Sequence, residues 1–124
     1  MIEGGGRPLA TPGVRLYRLV FEASRAYADR GVLLRHNAPD RADVQRRAQV
    51  LVTEGIASGE LVPADAAFVA WTLASLAESA GQRDEPSGLP PAERARRLTD
   101  FALRGLLRDP LRLEFIRGEV ARQA

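Results

Sequence analysis

Apolar residues recur along this chain at helical spacing, with Pro, Gly and short polar side chains marking the breaks. Thr11-Pro12 is a helix start, with Thr as N-cap and Pro at the first helical position. From there the pattern predicts a helix over residues 12–29, with Leu16, Val20, Ala23 and Tyr27 on one face and Tyr17 and Phe21 beside them. Gly31 is its natural stop, and residues 32–37 form a short apolar piece that ends before Pro39. Asp40 and Asp43 open a second helix over 41–58, where Val44, Ala48, Leu51, Val52 and Gly55 make one apolar face. Arg46, Val50, Thr53, Glu54 and Ala57 lie away from it. Gly59 ends that helix, and Pro63 starts a central one over 63–82. The polar stretch QRDEPSGLP at 82–90 is a loop, long for a helical bundle. Helices over 91–108 and 110–122 follow, separated by Asp109-Pro110, the last with Leu111, Phe115, Ile116 and Val120 turned inward.

No segment alternates with period two, so no sheet is expected. The fold class is all-α: an antiparallel bundle of about five main helices and a short one. Residues 1–10, with three consecutive glycines, read as a flexible tail, and 11–124 as a single domain.

The second half is more apolar than one core requires. The run AAFVAWTLASLAESAG, 66–81, holds one charged residue, Glu78. On a wheel of the next helix, apolar positions run from Phe101 through Gly105, Leu98, Ala102, Ala95, Leu106 and Leu103 to Leu107. At ~100° per residue that arc spans about two-thirds of the circle, whereas a helix on one core needs a little over ~100°. Arg97, Arg104, Asp100, Glu93 and Arg108 form the polar wedge. A helix apolar on two sides has a core on one and a partner on the other. A second copy of the chain is the economical partner. The expected interface uses Ala70, Ala74 and Ala77 of the central helix with Leu103, Leu106 and Leu107 of the next.

Composition narrows the function. A chain of 124 residues without Cys has no disulfide framework and no thiolate metal site. His36 is the only histidine, and one His with no acidic cluster at ligand spacing predicts no metal. All eighteen basic residues are Arg, and twenty Ala accompany them, which reads as a GC-rich coding bias. The formal net charge is only +2, with arginines beside acids, as in Arg18 with Glu22 and Asp100 with Arg104. No basic stripe for phosphates follows from that pattern. The longest uncharged apolar run, 66–77, is short of the ~20 residues of a membrane span, and no signal peptide is visible. The cytoplasm is the expected location. No nucleophile elbow or phosphate loop occurs, so neither an enzyme nor a cofactor is expected.

The order EGIASGELVPADAAFVAWTLASLAES, a polar loop, then ERARRLTDFALRGLL, resembles the C-terminal regulatory domain of TetR-family transcriptional regulators. The similarity covers about residues 41–107. It implies an effector-sensing, dimerising helical domain, with the two helices of these motifs pairing with their copies. It further implies an enclosed pocket for a small, mostly hydrophobic effector. Here the candidate lining is Phe68, Trp71, Thr72 and Ser75 of the central helix, with Tyr17, Phe21 and Ser24 of the first. These aromatics equally suit plain core packing. DNA contact in that family comes from an N-terminal helix-turn-helix, with a pattern like IAxxAGVSxGTxYxHFxxK, that nothing here matches. The chain thus reads as the regulatory part without its DNA reader, through truncation, processing or a shortened reading frame. The alternative is a stand-alone helical protein-interaction module without a ligand.

Overall fold

Local capping sets most helix ends. In the computed structural model, which describes residues 10–29, 39–82 and 84–123, Thr11 caps α1 (Pro12–Ala28) by accepting the Val14 N–H. Asp40 accepts from the Ala42 N–H and opens α2 (Arg41–Ser58), which Gly59 closes at φ 84°, a left-handed position that favours Gly. Both α2 ends coincide with the sequence expectation, because both signals are local.

The central helix is shorter than expected. α3 (Ala66–Ser79) starts after Asp65, whose side chain accepts from the Ala67 and Phe68 N–H groups. Residues 61 and 62 are held extended instead: Leu61 bridges Leu107 in antiparallel fashion, and the Val62 N–H donates to Leu106 O at 2.8 Å. That pairing overrides the helix start at Pro63. It also ends α4 (Pro91–Leu106) two residues early, with Leu107 extended. α5 (Arg112–Gln123) likewise begins two residues after Pro110. The described residues therefore form five α-helices and one isolated bridge, with no strand. Gly31, His36 and the short piece at 32–37 lie outside the described residues.

α1 is the centre of the bundle and touches all four other helices. Its sequence explains this, since Val14, Leu16, Tyr17, Leu19, Val20, Ala23 and Ser24 are buried around most of its girth. α2 contributes Val44, Ala48, Leu51, Val52 and Gly55 as the spacing predicts. At Gly55 a Cβ would lie 2.5 Å from Leu61 Cδ1, so the bare backbone lets the fully buried Leu61 fold back across the helix. That close approach offsets the ~1 kcal/mol that Gly costs within a helix.

Polar ties join distant ends. Glu60 accepts from Thr11 Oγ1 at 2.9 Å and from the Gly13 N–H at 2.8 Å, with Arg112 3.6 Å away. The starts of α1 and α5 therefore meet on one carboxylate. Arg94 donates to the carbonyls of Ala80 and Leu89, each at 2.8 Å, and pairs with Glu85, bracing the loop between α3 and α4. α5 faces inward with Leu113 and Ile116, and Val120 is partly buried. Leu111 and Phe115, expected inside, are exposed instead, with Arg112 stacked over the Phe115 ring. A start at Arg112 rotates the inward stripe to positions 113, 116 and 120.

Candidate functional site

The two-sided apolarity of α4 is resolved by a specific division. Ala95, Ala102 and Leu103 face the core, joined by Thr99 and Asp100. Phe101, 71% exposed, and Gly105 face outward, with Leu106 between. α3 divides in the same way: Ala70, Leu73, Ala74 and Ala77 are buried, while Phe68 and Trp71 are at least half exposed. α3 and α4 touch only sparingly. An open groove of about 590 Å³ runs between them, lined by Phe68, Thr72, Leu76, Phe101, Gly105 and Leu106 among others. Arg104 stands at its rim.

This geometry corrects the expected interface. Ala70, Ala74, Ala77, Leu103 and Leu107 are at most 3% exposed within a single chain, so their own core covers them. They are committed to α1 and to the Leu61–Leu107 bridge, and no surface remains on them for a second copy. Leu106 alone of that set reaches the groove. Phe101 and Gly105, which belong to the apolar arc but not to that set, line the groove one turn apart on the opposite side of α4 from Leu103.

The expected ligand set also separates. Phe68 and Thr72 line the groove, facing α4 rather than α1. Trp71 stacks on Phe68 at 6.1 Å between centroids, and the Arg41 guanidinium lies 5.8 Å from its ring. Ser75 accepts from Arg41 Nη2 at 2.6 Å and donates to Trp71 O, and Arg41 also pairs with Glu78. Ser75 thus belongs to the tie between α2 and α3. Tyr17 is buried, with Phe21 stacked on it at 6.3 Å. Ser24 is fully buried, and its hydroxyl has no hydrogen-bond partner among the described residues. Tyr17 and Ser24 therefore sit inside the bundle, while Phe68 and Trp71 stand on its outside. The seven residues do not converge on one enclosed cavity.

Tyr17 has a different role. Its hydroxyl donates to Asp100 Oδ1 at 2.7 Å, and Asp100 Oδ2 accepts from Arg117 at 2.8 Å and from Arg96 at 3.3 Å. Asp100 is 4% exposed. One carboxylate therefore joins α1, α4 and α5, where the helical spacing had placed it in the polar wedge and paired it with Arg104. Arg18, expected to pair with Glu22, donates to Gln123 instead.

Burial, and then the hydrogen bond to Asp100, push the Tyr17 phenol well above its ordinary value of 10.0. The fold favours the neutral phenol, so this contribution is complete below about pH 10 and is lost as pH rises above it. Tyr27 is shifted upward too, mainly by burial. Urea midpoints should therefore fall between pH 8 and pH 11 in the natural protein, and fall less in Tyr17→Phe. An equal fall in both proteins would contradict the assignment.

Among the described residues no three His, Cys, Asp or Glu side chains are placed to hold a metal ion. None of the described helices is long and apolar enough to cross a membrane. No protein-family model, no curated protein and no solved structure matches the chain.

Proposed function

We propose that this chain is a helical association domain of the kind found in TetR-like regulators, and that it pairs with a second copy through α3 and α4. The observation that carries the reading is the uncovered apolar groove between those helices, lined by Phe68 and Phe101, with the half-exposed Trp71 stacked on Phe68 outside it. Contiguous apolar surface of this kind marks interaction sites in soluble proteins. Two helices from each copy would close into a four-helix interface with the outward residues at its centre. In an intact regulator such a dimer would couple effector binding to DNA binding, given an effector that prefers one dimer geometry.

A second reading is favoured by the size of the groove. About 590 Å³ lies within the ~300–1,000 Å³ of small-molecule sites. The groove would then hold a neutral, mostly hydrophobic effector against Phe68, Leu76 and Phe101. Its openness favours a protein partner, because small-molecule sites enclose most of their ligand.

Association predicts a melting temperature that rises with protein concentration, together with dimers by sedimentation at micromolar concentration. A monomer at ~100 µM, with a melting temperature independent of concentration, would remove the association reading. If neutral hydrophobic compounds then raised that temperature, the effector reading would take its place.

A further inference from the structure

Phe101 and Gly105 sit one turn apart on the outer side of α4, and they are opposites. Phe101 is the most exposed aromatic among the described residues, at 71%. Gly105 is a bare position in the groove wall: a Cβ built there meets no atom within 4 Å. Unlike Gly55, it is required by nothing inside its own chain. A helix-interior Gly costs ~1 kcal/mol relative to Ala, and here no intramolecular contact offsets that. A projecting ring beside a notch is the arrangement of a knob and its hole.

We infer that the Phe101 ring of one copy seats in the groove over Gly105 of the other, and that this exchange sets the register of the dimer. This rests on the association reading. A twofold interface is self-complementary, so one such contact implies its symmetric mate. The two Phe101 rings then lie near the axis, where offset or edge-to-face packing adds to their burial.

The exposed aromatic area supplies much of what a stable dimer needs. Phe68, Trp71 and Phe101 together expose roughly 400 Å² per copy, taking ~150–250 Å² for a covered aromatic. Two copies would cover roughly 800 Å² of ring surface, against the ~1,200 Å² at which stable interfaces begin. Leu76, Leu106 and Arg104 line the same groove and add to that area. Phe68 is stacked on Trp71 and so stays on its own side as wall rather than knob. Phe101 has no stacking partner among the described residues and is free to cross.

The test is sedimentation equilibrium of the full chain, its Gly105→Leu variant, and the double variant Gly105→Leu with Phe101→Ala. Leu has the better helix propensity and its Cβ meets no atom of its own chain within 4 Å, so melting measured below the dissociation constant should not fall. Gly105→Ala, with one methyl, is the milder form should Leu perturb the helix. Filling the notch should weaken association at least tenfold. Removing the ring in the same chain should regain at least threefold, because the added Leu then occupies space the ring has left. A natural dimer whose affinity is unchanged by Gly105→Leu overturns the inference and leaves the association reading standing. So does a weakened dimer that Phe101→Ala does not restore, since the groove would then have another occupant. A natural chain that remains monomeric at ~100 µM removes both.

Discussion

Replacing Asp100 with Ala should lower the unfolding free energy by about 2–4 kcal/mol, a large share of the ~5–15 kcal/mol of an ordinary domain. The carboxylate is almost fully buried and receives the Tyr17 hydroxyl on one oxygen and Arg117 and Arg96 on the other. Removing it strands the buried phenol without an acceptor. The arginines lose less, because Arg117 and Arg96 keep 30% and 42% of their side-chain surface in water. Asp43 is the control. It also holds two arginines, Arg46 and Arg47, but its side chain is 41% exposed. Its Ala variant should cost under ~1 kcal/mol. Denaturant titrations of the two variants make the comparison, and similar losses would show that the Asp100 cluster holds nothing together. Replacing Tyr17 by Phe and Arg117 by Met alongside Asp100→Leu should recover part of the loss, because the penalty lies in stranding partners rather than in lacking the cluster.

The same residue marks where sequence reasoning ran out. The apolar arc of α4 was located correctly, but an arc of two-thirds of a circle does not say which part points inward. The buried sector is centred near Thr99 and Leu103 and extends to Asp100, because Tyr17 and Arg117 approach from that side. Those partners come from positions 83 residues before and 17 after, and no local pattern links them. Phe101 and Gly105 fall at the other edge of the arc. Their contrast was legible in the sequence: Gly inside a helix calls for a reason, and at Gly105 no contact of its own chain supplies one. The α2 face was read without error, since its apolar stripe is narrow and both caps lie within a residue of the helix. The start of α3 was misplaced for the opposite reason: the bridge between Leu61 and Leu107 is a contact of long sequence separation, and it took the residues around Pro63 away from the helix. The candidate site fared worst. Phe68, Thr72 and Ser75 share a sector of one helix with Trp71 on the sector beside it, yet Phe68 and Thr72 line the groove toward α4 while Trp71 and Ser75 meet Arg41 of α2. Exposure depends on where the neighbouring helices stop, and helical spacing carries no information on that.

Two glutamates placed two residues apart on α4 should therefore act in opposite ways. Leu103 is fully buried, so Leu103→Glu loses roughly 1.5–3 kcal/mol of side-chain burial. It also places a carboxyl without a partner in the core, at a cost of several kcal/mol more. Together these approach the whole stability of a domain this size, and the variant should be unfolded by far-UV circular dichroism. Phe101→Glu should leave the helical signal and the monomer's melting almost unchanged, within ~0.5 kcal/mol. The ring is mostly in water already, and Arg97 and Arg104 stand four residues before and three after to receive the charge. What it should lose is association. Each copy would bring its new carboxylate to the same twofold contact, where like charges repel and neither is paired across the axis. Sedimentation of Phe101→Glu should give a folded monomer at concentrations where the natural chain is dimeric. An unchanged dimer would place the interface elsewhere on the molecule. A folded Leu103→Glu would show that α4 turns a different face to the core. The pair of variants thus separates the inward from the outward side of one helix, and its fold from its partner.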